Sequence, residues 1–179
     1  MNSTKDMTGV VTTLSDHDSP RNPYFDLIPN VCAFLPDSLT KDRLGMAEKN
    51  TGFAGKHSLL QLCNMATTSG PNYEQLGLVV TIQATSIADV SSNPEHRDID
   101  KSVPVWRNVT GVLYKNPADD TQGDQVCNLA WGTFYGSAVV TVSTTGGYKA
   151  DPCSKAREFS AEIAPYLPSR PVQMRPSEG

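Results

Sequence analysis

The chain has 179 residues, enough to bury one substantial core, and nothing in it asks for a second domain. Hydrophobic residues make up 38% and charged residues 19%, while 13 prolines and 13 glycines indicate a loop-rich globular protein with tails. The net charge is −4 and the 15 lysines and arginines are scattered, which argues against the clustered basic surface that nucleic acid requires.

Residues 1–23 are polar, rich in Ser, Thr and Asp, and too poor in apolar side chains to hold a core contact, so they read as a flexible tether. The domain is expected from Tyr24 to Pro168. Ser38 to Leu44 can form a short helix, capped by Asp37 or Ser38 and closed by Gly45. From Ser58 to Ala66, and more clearly from Leu76 to Ala84, apolar residues recur at every second position, the signature of strands with one buried face. Residues 87–105 read as polar and irregular, with room for a helical turn. Val109 to Lys115 suits another strand, and Asn116 to Asp124 has the chemistry of an exposed turn.

Gln125–Phe134 and Ser137–Thr144 flank Tyr135-Gly136 as a β-hairpin, and Gly146-Gly147 breaks the second strand. A helix follows. Asp151 is placed to cap it and Pro152 suits its first position, where a missing N–H costs nothing. Cys153, Ala156, Phe159, Ser160, Ile163 and Leu167 recur at helical spacing, so one stripe faces a core and the cysteine lies on that side. Residues 169–179 form a proline-containing tail with little apolar content. Runs of strands without long intervening helices predict an α+β fold: an antiparallel sheet with a short N-terminal and a C-terminal helix on one face.

Cys32, Cys63, Cys127 and Cys153 are even in number, widely spaced and free of any C-x-x-C, which sets aside zinc-ribbon and thioredoxin-like readings. Two disulfides in an oxidising compartment are expected, and the residues alone allow three pairings. No segment is long and apolar enough to cross a bilayer, and Met1 to Met7 lacks the apolar centre of a signal peptide, so export would depend on a leader removed from this sequence.

Val31-Cys32-Ala33-Phe34-Leu35-Pro36, Cys63 on an early strand, Cys127 on a late strand, and Asp151-Pro152-Cys153 opening a helix that ends Tyr166-Leu167-Pro168 together resemble a known family. The chain is similar, over about residues 23–168, to the actinobacterial exported proteins and lipoproteins that carry domain of unknown function 3558. Met65 stands where such domains often carry an aromatic residue; methionine is an adaptable filler that can occupy the same core position. The resemblance implies the pairs Cys32 with Cys63 and Cys127 with Cys153, export, and frequent lipid anchoring, with no established reaction. Each such bridge would stabilise the fold by roughly 3–4 kcal/mol on the chain-entropy estimate.

Catalytic signals are sparse. Asp16-His17-Asp18, His57 and His96-Arg97-Asp98 contain acid–base and metal-ligating types, but they lie in polar stretches or at a strand edge and read as solvated. There is no G-x-S-x-G and no phosphate-binding loop. The aromatic residues Trp106, Trp131, Tyr135, Tyr148 and Tyr166 remain for recognition. Trp131 shares strand parity with Cys127 and Leu129 and is expected in the core; Trp106 and Tyr148 are the candidate binding residues. The expectation is a non-enzymatic cell-envelope domain without cofactor or metal. It would bind a partner or ligand, one version being an accessory subunit of a membrane complex, and would be either held by a lipid anchor outside this sequence at the outer face of the cytoplasmic membrane or secreted without one. The alternative is an envelope hydrolase or other enzyme whose site forms only on folding.

Overall fold

The centre of the sheet is built by strands whose apolar residues alternate with small or polar ones, as a two-residue period on a pleated surface demands. These are β3 (Gln75–Gln83), β6 (Gln125–Thr133) and β7 (Gly136–Thr145) in the computed structural model, which describes residues 31–52, 60–116 and 125–169. Antiparallel register aligns Val80, Val140 and Leu129 across the three strands, and all are fully buried. Around them lie β1 (Glu48–Gly52), β2 (Leu60–Ala66), β4 (Arg97–Trp106) and β5 (Val109–Lys115). The order is β1-β2-β3-β7-β6-β5-β4, antiparallel throughout, so only the β3–β7 pairing joins strands distant in sequence.

One face carries the main core. A 3-10 turn at Val31–Phe34 and helix α1 (Asp37–Thr40) cover the β1–β3 side, burying Val31, Leu35 and Leu39. The longer helix α3 (Pro152–Ile163) covers β6 and β7 and reaches β4. Asp151 caps α3 as the sequence predicts: its carboxylate accepts from the Cys153 N–H at 3.3 Å and the Ser154 N–H at 2.9 Å. Ala156, Phe159, Ser160 and Ile163 point into the core, with Leu167 buried beyond the last turn. Arg43 pairs with Glu162 and Arg157 with Asp100 at 3.1 Å, so α3 is tied to the N-terminal segment and to β4.

Two disulfides staple these covers to the same face. Cys32–Cys63 joins the 3-10 turn to β2 and Cys127–Cys153 joins β6 to α3, with Cα separations of 5.1 and 5.0 Å. All four cysteines are paired, in the pairing that the family resemblance implies. Such bridges persist in an oxidising, extracytoplasmic setting. No helix among the described residues is long and apolar enough to cross a membrane.

The structure departs from the sequence reading in several places. The stretch 87–105, read as irregular with room for a helical turn, does hold the short helix α2 (Ile87–Ser92), but it also holds most of the ten-residue strand β4. Ser86 caps α2 by accepting the Asp89 N–H at 3.1 Å. This helix lies on the opposite face of the sheet, where Ile87 and Val90 pack with Val112, Tyr114, Ala130 and Val139. The strand β1, with the sequence Glu48-Lys49-Asn50-Thr51-Gly52, has no apolar residue and so no alternation to predict it. Both missed strands are sheet edges: each has a single partner, and β4 runs with register shifts past Pro104, so neither shows a clean alternation. Asp37 is the first residue of α1, after Pro36 at the cap position, and its carboxylate pairs with Lys41 and Lys49. Gly45 does close the segment, at φ +70°. The expected tether, the turn at 117–124, His57 and residues 170–179 lie outside the described residues.

Candidate binding cleft

The hairpin between β6 and β7 turns through Phe134-Tyr135, with Thr133 paired to Gly136. Two-residue turns are ordinarily exposed and made of Gly, Asn or Asp. Here both turn residues are aromatic and buried, with rings 5.1 Å apart in an edge-on arrangement. Gly136, at φ +139°, permits this: a Cβ there would lie 2.1 Å from the Gln83 carbonyl oxygen, so only glycine lets the turn close against the end of β3.

The β4–β5 hairpin ends at the same edge of the core. Trp106 pairs with Val109 across Arg107-Asn108, and Arg107 takes φ +52°, the left-handed conformation that such tight turns use. Its guanidinium lies 4.2 Å from the centre of the Trp106 ring, a cation–π contact that holds the indole in place. Between the two hairpins, Ile87 and the segment following α3 lies a cleft of about 450 Å³. Its lining includes Trp106, Trp131, Phe134, Tyr135, Leu167 and Pro168. The described lining also includes Asn108, Thr110, Thr133 and Ser169 but no carboxylate, amine, guanidinium or imidazole, so the cleft is suited to a neutral, mainly apolar surface.

Two hydroxyls at this end are unsatisfied. Tyr135 has no exposed surface, and neither its phenol oxygen nor Thr133 Oγ1 has a hydrogen-bond partner among the described residues. Burial pushes the Tyr135 phenol well above the usual tyrosine value of 10.0, a shift that the neighbouring Thr133 hydroxyl opposes. The Thr133 hydroxyl is close enough to act on the phenol, yet neither oxygen completes a hydrogen bond among the described residues. A buried, unpaired polar group costs about 1–3 kcal/mol.

Of the two candidate binding residues, Trp106 is at the cleft and Tyr148 is not. Tyr148 follows the other end of β7, half-buried against the core, with its N–H donating to the Thr145 carbonyl at 3.1 Å. Roughly 30 Å of strand separates the two ends at ordinary rise per residue. Trp131 is buried, as its parity predicts, and also lines the cleft. His96 serves the α2 side: its ring stacks on Tyr114 with centroids 4.1 Å apart, Nδ1 lies 2.8 Å from the Val90 carbonyl, and Nε2 lies 3.2 Å from the Asn93 amide. Nothing local marks Thr133 or Tyr135 as site residues: the sequence places the turn at Tyr135-Gly136, whereas the chain turns one residue earlier, through Phe134-Tyr135, and buries both rings. No protein-family model, no curated protein and no solved structure matches the chain.

Proposed function

We propose that this chain is a non-catalytic binding domain of the cell envelope, displayed outside the cytoplasm and holding a ligand in the cleft between its two hairpins. The observation that carries the reading is the cleft itself: both tryptophans of the chain line it, and no charged side chain is among its described lining residues. The disulfides support the compartment, and the resemblance to domain of unknown function 3558 supports membrane attachment through a lipid outside this sequence. A domain so displayed fits an accessory subunit of a membrane complex, with the cleft as its point of recognition.

The test starts from oxidised full-length protein incubated with an organic-solvent extract of the native envelope and then repurified. Mass spectrometry should find a compound retained by the wild type and lost by Trp106→Ala, with the circular dichroism of the variant showing an intact fold. Equal retention by both proteins, or no retained compound, would overturn the reading. A turnover activity abolished by His96→Ala with the fold intact would favour the enzyme alternative instead.

A further inference from the structure

Resting on that reading of the cleft, we infer that its ligand is a neutral, mainly apolar small molecule bearing a carbonyl oxygen, which accepts hydrogen bonds from Tyr135 and Thr133. Among the described residues only four buried side-chain polar atoms lack a partner, and two of them are these neighbouring hydroxyls on cleft-lining residues. A carbonyl oxygen offers two lone pairs and brings no donor of its own, so it can satisfy both O–H groups at once. A ligand hydroxyl could also accept, but it brings a proton of its own that would have to be met by a lining acceptor such as Asn108, Thr110 or Ser169. A charged ligand would lose its hydration against indole, leucine and proline with no opposite charge among the lining residues.

The size is consistent: about 450 Å³ falls within the range of small-molecule sites. Both oxygens are closed to bulk water, so a ligand carbonyl reaches them only when the lining parts locally. Thr133 is half-buried as a residue, which leaves its hydroxyl room to change rotamer toward the cleft. Burial also keeps the Tyr135 phenol protonated, and therefore a donor, throughout the ordinary pH range.

Two bicyclic probes separate the possibilities: 1-tetralone, which carries one carbonyl, and tetralin, the same skeleton without it. Each is titrated into the oxidised full chain by ligand-observed NMR, with tryptophan emission as a second readout because both tryptophans line the cleft. Tyr135→Phe should weaken 1-tetralone about tenfold, the scale of one lost hydrogen bond to a buried group, and leave tetralin within about twofold. Thr133→Val should give the same split and stands in if Tyr135→Phe fails to fold. If both probes bind and neither variant changes their ratio, the carbonyl assignment is wrong while the cleft remains a binding site. If neither probe binds at millimolar concentration or perturbs the tryptophans, the assignment falls together with the cleft reading.

Discussion

Replacing Tyr135 by phenylalanine removes one oxygen from a side chain that has no exposed surface and whose hydroxyl has no partner among the described residues. In the unfolded chain that hydroxyl is solvated by water; in the folded protein it loses those hydrogen bonds and gains none, a penalty of about 1–3 kcal/mol. Phenylalanine recovers the penalty but leaves a gap about the size of one oxygen, which forfeits some dispersion contact. The net expectation is a stabilisation of about 1 kcal/mol, or about 2–4 °C in melting temperature for a domain of this size. The same substitution has a pH signature. The folded phenol is held above the unfolded value of 10.0, so its contribution is fully present below pH 10. Above that pH the unfolded state releases a proton that the folded state retains, and stability declines by about 1.4 kcal/mol per pH unit. The variant lacks this component, and the remaining tyrosines cancel in the comparison. Urea denaturation of both proteins with disulfides intact, at pH 7 and from pH 9 to 12, measures both effects. Destabilisation of Tyr135→Phe by more than 1 kcal/mol at pH 7, or parallel alkaline decline in the two proteins, would show that the hydroxyl is partnered and refute the reasoning.

Replacing Cys127 and Cys153 together by serine should destabilise the domain by about 3–4 kcal/mol, since the bridge closes a loop with a sequence separation of 26. Peptide mapping without reductant should recover Cys32 linked to Cys63 and Cys127 linked to Cys153; crossed pairs in the natively folded, oxidised protein would contradict the structure. Ile163→Asp puts an unpaired charge on a fully buried position of α3 and should cost several kcal/mol, whereas exposed Glu158→Ala should stay within about 0.5 kcal/mol by denaturant titration. Asp151→Ala removes the acceptor for the Cys153 and Ser154 N–H groups and should cost about 1 kcal/mol, with Asp151→Asn recovering most of it.

The sequence determined a good deal of this protein by local rules. The Asp151 cap, Pro152 and the stripe from Ala156 to Leu167 specify α3 because each signal acts within a few residues. The alternation in β3, and in the strands of the β6–β7 hairpin, specifies which side chains face the core, because a strand buried on one side repeats every second residue. The α+β class follows from those elements. The four cysteines are visible but their partners are not, since spacing permits three pairings; it was the resemblance that named the pairs, and the tertiary structure shows which sulfurs meet. The edge strands β1 and β4 escaped notice because a strand with one neighbour is free to be polar, bulged and charged. The cleft lies furthest from local signals. It is assembled from a β4–β5 turn, a β6–β7 turn, the first residue of α2 and the segment after α3, brought to one end of the core by the order β3-β7-β6-β5-β4. Trp106 could be suspected from its sequence alone, but that Tyr135 and Thr133 find no hydrogen bond among the described residues depends on what each neighbouring element supplies, which only the tertiary structure decides.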